Sequence, residues 1–482
     1  MTNNTKDIIE QANKLFKKRH YQQVIDLLLP VIPKMKSGNT KRILTTVLAK
    51  SYYKNENTDI ALEYFVQLIA EHPKESQYFY LAGICEMSLN HHPQAQSYFK
   101  RCLALNPGQS NCQLNIAASY RHTNQPEQAI PYYNELRHNP DYASRAFRNL
   151  AMCQKYDSLD QPDIKAIFEL LQEGELTSEQ RSHLYFALGK IYKDCNMHSY
   201  AFESYTYGNQ LKNKSHAFNH TDYSKKIDNL KKIFSDITYP KPKQKSESAL
   251  TFIIGIPRGG KTLLEKTLLL SNQAFALEEF AALDKLVYQY TNNKPFQFSS
   301  ELQSHIQSKK FGKKLYQDFI GKIQQRTQEN FQAYVDTTPC NFRYMGYILL
   351  MCPNAKFIHT YRNPLDHIFV AYTKYFASGN FWAFNIENIV HYYCEYRRIM
   401  AFWEKSLPTK IKTIIYEDLI KNPEPIARAL FEFVGIEVPN NLSVALNTLN
   451  IHDKEINIHQ QYPEFMEAIA PFMAQLQPYM PK

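Results

Sequence analysis

The first half of the chain repeats one pattern of small, apolar and polar positions with a period of 34 residues, or 33 at the last proline. In each copy a small residue is followed, about one helical turn later, by two aromatic residues, and a proline closes the copy. This pattern predicts helical hairpins, because the small residue lets two helices approach and the proline ends the second helix. A single hairpin cannot bury its apolar face, so the hairpins must stack into an all-α solenoid. The repeating positions are Ala61, Tyr64, Phe65 and Pro73, then Ala95, Tyr98, Phe99 and Pro107, then Ala129, Tyr132, Tyr133 and Pro140.

The small residue, the aromatic pair and the closing proline resemble those of tetratricopeptide repeats. Val24, Leu27 and Leu28 suggest an earlier, looser copy, and residues 184–213 show the repeat shape again. The resemblance implies a concave surface that binds a peptide or protein partner. We expect no strand before Leu250.

A stretch rich in proline and charge separates the two halves of the chain. A helix is predicted over residues 220–236, and residues 239–249 then read YPKPKQKSESA. Such a composition is typical of a linker. The sequence therefore predicts a helical repeat array over residues 1–238, a linker over 239–249 and a second domain over 250–482.

The second domain opens with a predicted strand, a glycine turn and a predicted helix. Residues 250–256 form a short β-branched run, residues 257–262 read PRGGKT, and residues 263–270 are rich in leucine. Such a turn aims backbone N–H groups and a helix N-terminus at an anion. Residues 255–262 also match the phosphate-loop pattern G-x-x-x-x-G-K-T. We expect a nucleotide-binding α/β domain with three layers and a parallel sheet.

Further segments follow the loop in a fixed order. Counted with the loop, they are PRGGKTL at 257–263, Glu279 at 21 residues after Arg258, VDTTPCNF at 335–342, PNAKFIHTYRNP at 353–364 and YEDLIKNPEPIARALFEFVG at 416–435. Together they resemble the sulfotransferase domain of bacterial tetratricopeptide–sulfotransferase fusions, which is in turn similar to the protein-modifying sulfotransferases. The resemblance extends from about residue 184 to residue 435.

The resemblance implies transfer of a sulfonate from 3′-phosphoadenosine 5′-phosphosulfate to an unidentified hydroxyl or amine acceptor, without a metal. It implies that Glu279 is the general base that takes the proton of the acceptor. Arg362 would bind the 3′-phosphate through bidentate hydrogen bonds, assisted by Tyr416. The residues implied for the 5′-phosphosulfate are Arg258, Gly259, Gly260, Lys261, Thr262 and Leu263.

Two positions depart from the family pattern. Thr337 stands where the family has a lysine that stabilises the leaving group, and Val370 stands where it has a serine. Lys261 replaces the first threonine of the usual loop, so its charge could take over the catalytic role of the missing lysine. Lys374 is expected one helical turn beyond Val370, on the same helical face, and could reach the 3′-phosphate.

Two alternatives stay open at this point. The first is a phosphate-loop nucleoside triphosphatase or kinase, for which Asp336 could hold magnesium. It leaves the segments around Arg362 and Tyr416 unexplained. The second is a scaffold on a decayed sulfotransferase fold, which Thr337 and Val370 favour.

Composition limits the ligands and the cellular compartment that we expect for the protein. The net charge of +10 favours anionic ligands, but the basic residues are scattered, so we do not expect nucleic-acid binding. The eight cysteines form no CxxC pair, and no apolar window reaches the roughly 20 residues of a membrane span. The N-terminal residues lack an apolar signal core, so we expect a cytoplasmic protein without a metal site or a membrane span.

Overall fold

The structure is a computed structural model that describes residues 3–173, 175–213, 217–241, 249–327, 329–377, 379–451 and 456–480. These residues form two compact units, Met1–Cys195 and Asn196–Lys482. Most of the predicted linker, residues 242–248, lies outside the described residues.

Over its described residues, the first unit consists of helices joined by turns and contains no strand, as the repeat pattern predicts. Consecutive helices form antiparallel hairpins, and the pairs α3–α4, α5–α6 and α7–α8 carry the three regular repeats. The helices are α1 Asn3–Lys17, α2 Tyr21–Leu28, α3 Asn39–Lys54, α4 Thr58–Glu71, α5 Ser76–Ser88, α6 His92–Leu105, α7 Ser110–His122, α8 Pro126–Leu136, α9 Ala143–Cys153, α10 Pro162–Glu173 and α11 Ser178–Asp194.

The repeated small and aromatic residues hold these hairpins together. Ala61, Ala95 and Ala129 are fully buried, and so is the second aromatic of each pair. The close approach is clearest at Gly83 on α5, where an added Cβ would lie 2.6 Å from the ring of Phe99 on α6. The predicted tetratricopeptide-type solenoid is therefore confirmed for the first unit.

The second unit begins with two helices that the sequence assigned to the repeat array. These are α12 His198–Asn213 and α13 His220–Phe234. The Asn209 side-chain amide donates to the carbonyl oxygen of Tyr372 at 2.8 Å, and the ring of Phe234 lies 5.6 Å from that of Trp403. The two compact units thus divide after Cys195, well before the predicted linker. The apolar faces of both helices are covered by the second unit.

A five-stranded parallel sheet forms the centre of the second unit, as expected. Its order is β2-β3-β1-β4-β5, so the first strand is central and buried on both faces. Because all strands are parallel, their carboxyl ends lie along one edge, where ligands of such sheets bind. The strands are β1 Ala249–Ile254, β2 Ala274–Glu278, β3 Ala333–Asp336, β4 Lys356–Tyr361 and β5 Ile411–Ile415.

Helices cover both faces of this sheet and complete three layers. On one face Ile253 and Ile358 pack with Leu264 and Phe431 in a single apolar cluster. On the other face Phe252 stacks near Phe319 and Phe357. The helices are α14 Lys261–Leu268, α15 Ala282–Tyr290, α16 Ser300–Gln307, α17 Lys309–Gln324, α18 Met345–Met351, α19 Pro364–Tyr372, α20 Ile386–Ser406, α21 Tyr416–Lys421, α22 Pro423–Val434, α23 Leu442–Asn447, α24 Pro463–Ile469 and α25 Met473–Leu476.

None of the helices in the described part of the chain is both long and apolar enough to cross a bilayer.

Candidate functional site

The loop between β1 and α14 has the backbone conformation of a tight anion cradle. Gly260 has a φ of 96° and caps the N-terminus of α14, and Arg258 has a φ of 72°. An added Cβ on Gly260 would lie 2.4 Å from the ring of Tyr416, at the start of α21. Glycine is therefore required at 260 both by the left-handed backbone and by this contact.

The end of β4 and the start of α19 support the loop from beneath. A Cβ on Gly259 would lie 2.9 Å from Thr360 Oγ1 and 3.3 Å from the ring of His367. His367 Nε2 lies 2.7 Å from the carbonyl oxygen of Pro257. Burial lowers the pKa of His367 to about 3, so the ring is neutral and Nε2 donates this bond. No role could be predicted for His367, because a lone histidine has no distinctive sequence pattern.

Arg362 joins the loop to the β4 edge of the site. Its side chain is 7% exposed, and Nη1 donates to the carbonyl oxygen of Arg258 at 3.3 Å. Its guanidinium lies 4.6 Å from the centre of the Tyr416 ring. The structure therefore brings together Arg258, Arg362 and Tyr416, the first and last of which are more than 150 residues apart in the sequence.

The carboxylate of Asp366, which is hydrogen-bonded to His459, lies next to the Arg362 guanidinium. Asp366 Oδ2 lies 4.0 Å from the guanidinium, and Asp366 Oδ1 accepts from His459 Nδ1 at 2.6 Å. Burial opposes the charge of Asp366, but the hydrogen bonds from His459 and the charge of Arg362 outweigh it and lower the pKa of Asp366. Neither residue could be predicted, because no local sequence pattern links two positions that are 93 residues apart.

Lys261 is the first residue of α14, and its amine is enclosed by the loop. The side chain is 7% exposed, and Nζ donates to the carbonyl oxygen of Ile256 at 3.3 Å. Burial lowers the pKa of Lys261 to about 8, while the nearby negative charge of Glu279 opposes that shift. Lys261 is thus part of the loop interior rather than a solvated side chain.

Glu279 follows β2 directly and faces the loop across the sheet edge. Its side chain is exposed, and its carboxylate interacts electrostatically with Arg258, Lys261 and Asp336. Thr337 N donates to the carbonyl oxygen of Glu278 at 2.9 Å, which fixes the ends of β2 and β3 side by side. A solvent-accessible carboxylate therefore lies beside the two cations of the loop.

Known families match both units of the chain. A model described as Sulfotransferase family matches residues 251–440, and one described as Tetratricopeptide repeat matches residues 46–110. The chain is a fusion of tetratricopeptide repeats with a sulfotransferase-family domain.

One curated relative is an uncharacterized protein of Aquifex aeolicus (strain VF5), 27% identical over 292 residues. The match covers 58% of this chain and 38% of that protein, so the chain spans well under half of the relative's length.

Several solved structures are similar to about a third of the chain. MamA 41-end from Desulfovibrio magneticus RS-1 is 21% identical, with 36% of this chain and 97% of that chain covered and a TM-score of 0.29. YrrB, described as a TPR protein with an unusual peptide-binding site, is 13% identical, with coverages of 35% and 86% and a TM-score of 0.30. PilW, described as a type IV pilus biogenesis factor, is 15% identical, with coverages of 39% and 83% and a TM-score of 0.30.

The end of β3 in the sulfotransferase-family domain carries buried polar groups. Asp336 Oδ1 accepts from Thr338 N at 2.8 Å and from Asn341 Nδ2 at 2.9 Å. Burial raises the pKa of Asp336 to about 7, against the effect of these hydrogen bonds. Thr337 Oγ1 donates to Glu265 Oε1 at 3.3 Å. Residue 337 therefore points into the space between the loop helix and the sheet.

The remaining predicted site residues differ in their exposure to solvent and in their secondary structure. Thr262 is exposed in the first turn of α14, whereas the Leu263 side chain packs into the apolar core. Helix α19 ends at Tyr372, because Thr373 caps it. The expectation that Lys374 shares a helical face with Val370 is therefore wrong, and its contact with a 3′-phosphate stays a prediction.

Proposed function

We propose that the sulfotransferase-family domain transfers a sulfonate from 3′-phosphoadenosine 5′-phosphosulfate to a hydroxyl or amine acceptor. The convergence of Arg258, Arg362 and Tyr416 on one glycine loop supports this most strongly. The loop and the N-terminus of α14 suit the 5′-phosphosulfate. The buried Arg362, braced by Asp366, suits a 3′-phosphate through charged hydrogen bonds.

In the proposed reaction the acceptor oxygen or nitrogen attacks the sulfur of the phosphosulfate. The bond between sulfur and the bridging oxygen breaks, and adenosine 3′,5′-bisphosphate leaves with the electron pair of that bond. Glu279 takes the proton of the acceptor, while Lys261 and Arg258 stabilise the charge that develops on the leaving oxygen. All of these charges belong to fixed protein groups, so the step as proposed uses no metal.

The repeat array is proposed to hold a peptide or protein partner. In the first unit, α9 and α11 border a cleft of about 490 Å³, whose lining includes Ser144, Arg145, Gln180 and His183. Side chains that donate and accept hydrogen bonds suit an extended peptide in such a cleft.

All eight cysteines are free thiols, which supports a reducing, cytoplasmic setting.

The test is release of adenosine 3′,5′-bisphosphate from the phosphosulfate donor by the full chain, with a panel of hydroxyl and amine acceptors. Glu279→Gln keeps the shape of the side chain and removes its basicity. We expect turnover to fall about 10²–10⁴-fold in this variant, with similar nucleotide affinity. The surface variant Glu424→Gln is the control, since Glu424 pairs with Arg428 and Ser443 at the surface.

Undiminished turnover in Glu279→Gln would remove the assigned base. A wild-type chain that binds the nucleotide and yet sulfates no acceptor would favour the decayed-scaffold alternative.

A further inference from the structure

Beneath the phosphate loop lies a buried carboxyl group that the proposed reaction does not use. Glu265 is one turn after Lys261 on α14 and is 7% exposed. Its carboxylate accepts from Thr337 Oγ1 at 3.3 Å and has a backbone hydrogen bond with Glu278. Within the described part of the chain, no ion pair includes Glu265.

The groups that face Glu265 are mostly acidic. Glu278 at the end of β2 and Asp336 at the end of β3 both repel its negative charge. Lys261 attracts it, but the Lys261 amine hydrogen-bonds to the Ile256 carbonyl and interacts more strongly with Glu279. A negative charge at Glu265 is therefore only weakly compensated by the protein groups around it.

An anion in the loop changes this balance. A 5′-phosphate or phosphosulfate group at the N-terminus of α14 would lie within about two helical turns of Glu265, at low dielectric. Its charge repels a carboxylate at Glu265 and attracts an ammonium at Lys261. Both effects favour the protonated form of each side chain.

We propose that Glu265 is a positioning residue that takes up a proton from solvent when the donor nucleotide enters the loop, while Lys261 becomes fully protonated. This inference rests on the proposed function, because it requires the 5′-anion to bind at this loop. No bond of the nucleotide changes in the step, and the only transfer is of protons from solvent. The neutral carboxyl group no longer repels the bound anion.

The pKa values place this uptake near neutral pH. Burial, followed by repulsion from Glu278, raises the pKa of Glu265 to about 7, and burial lowers the pKa of Lys261 to about 8. The bound anion raises both pKa values, so each group gains protons on binding. Nucleotide affinity should therefore fall as the pH rises through about 7 and then 8, by at most about tenfold per pH unit for each proton taken up.

The experiment is calorimetry of the full chain with adenosine 3′,5′-bisphosphate in buffers of different ionisation enthalpy. The dependence of the heat on the buffer gives the number of protons taken up. We expect uptake in the wild type at about pH 7, near the pKa of Glu265, and at about pH 8.5, just above the pKa of Lys261. Glu265→Gln should lose the uptake near pH 7, while its amide oxygen still accepts from Thr337. Lys261→Arg should lose the uptake near pH 8.5, because arginine stays charged.

A third variant, Thr337→Val, separates proton binding from structural damage. Thr337→Val removes the hydrogen bond that favours the charged form of Glu265, and so raises its pKa further. The first uptake should then move to higher pH instead of disappearing. Glu424→Gln, a change at an exposed carboxylate, should behave as the wild type.

The outcomes distinguish a failure of the role of Glu265 from a failure of the proposed function. Binding without buffer-dependent heat, or the same uptake near pH 7 in Glu265→Gln, would overturn the role of Glu265 and leave the proposed function standing. Absence of nucleotide binding by the wild-type chain would overturn the proposed function and this inference with it.

Discussion

At the scale of single residues, the candidate site depends on cations that the fold removes from water. Arg362 and Lys261 are each 7% exposed, and Arg258 is held in a left-handed backbone conformation. Burying cations is unfavourable unless hydrogen bonds or opposite charges compensate. Arg362 has the Arg258 carbonyl and Asp366, whereas Lys261 has one carbonyl and the more distant Glu279. Such a site favours an anionic ligand.

Arg362 should discriminate between nucleotides by their 3′-phosphate. Arg362→Ala should weaken the binding of adenosine 3′,5′-bisphosphate by about 1.5–3 kcal/mol, because a charged hydrogen bond is lost. Adenosine 5′-phosphosulfate lacks the 3′-phosphate, so its affinity should change little. Calorimetry with both ligands measures the difference. Equal losses would mean that Arg362 only supports the Arg258 carbonyl.

A lysine at position 337 should partly replace the function of the lysine at position 261. Both side chains lie around Glu265, between α14 and the end of β3. Lys261→Thr alone should lose most of the activity, because it removes the loop cation that is proposed to stabilise the leaving oxygen. The double variant Lys261→Thr with Thr337→Lys should recover much of it. Turnover of the phosphosulfate donor measures both, and a harmless Lys261→Thr would contradict the compensation.

At the scale of elements, local motifs were predictable and long-range partners were not. The strand–loop–helix at residues 250–268 follows from its apolar runs and glycines, and the solenoid follows from its period. The pairing of His459 with Asp366 joins segments 93 residues apart, and no local pattern signals it. Helices α12 and α13 carry repeat-like apolar faces. Periodicity shows that such a face is buried, but not which unit buries it.

The packing of α13 on the second unit can be tested through a glycine. A Cβ added at Gly346 on α18 would lie 2.3 Å from the ring of Phe234. Gly346→Ala should therefore lower the free energy of unfolding of the second unit by about 1–3 kcal/mol, as overpacking does. Gly321→Ala on α17 is the matched control, since nothing lies within 4 Å of its added Cβ. It should be neutral or stabilising by up to about 1 kcal/mol. Equal thermal melting temperatures for the two variants would contradict the contact.

At the scale of the whole molecule, the chain joins a helical array to an α/β domain that contains the candidate site. The family matches and the helical hairpins agree on this organisation. The composition-based boundary differs from the structural one because a proline-rich stretch signals exposed chain, not the end of a packing unit. Residues 196–238 lie before that stretch and still contribute buried side chains to the second unit.

The structural boundary predicts which fragment folds. A fragment of residues 196–482 keeps the Asn209–Tyr372 hydrogen bond and the Phe234–Trp403 contact, whereas a fragment of residues 239–482 loses both. The longer fragment should unfold cooperatively, and the shorter one should be insoluble or lack a sharp transition, because it exposes apolar faces. Circular dichroism during thermal unfolding measures this. Equal stability would place the boundary at the linker.

The most direct test of the central claim is calorimetry of the full chain with adenosine 3′,5′-bisphosphate and, separately, with ATP and magnesium. A sulfotransferase site with Arg362 at the 3′-phosphate should bind the bisphosphate clearly more tightly, without added metal. A phosphate-loop triphosphatase would show the reverse order and a requirement for magnesium. Binding of ATP–magnesium in preference to the bisphosphate would contradict the proposed function.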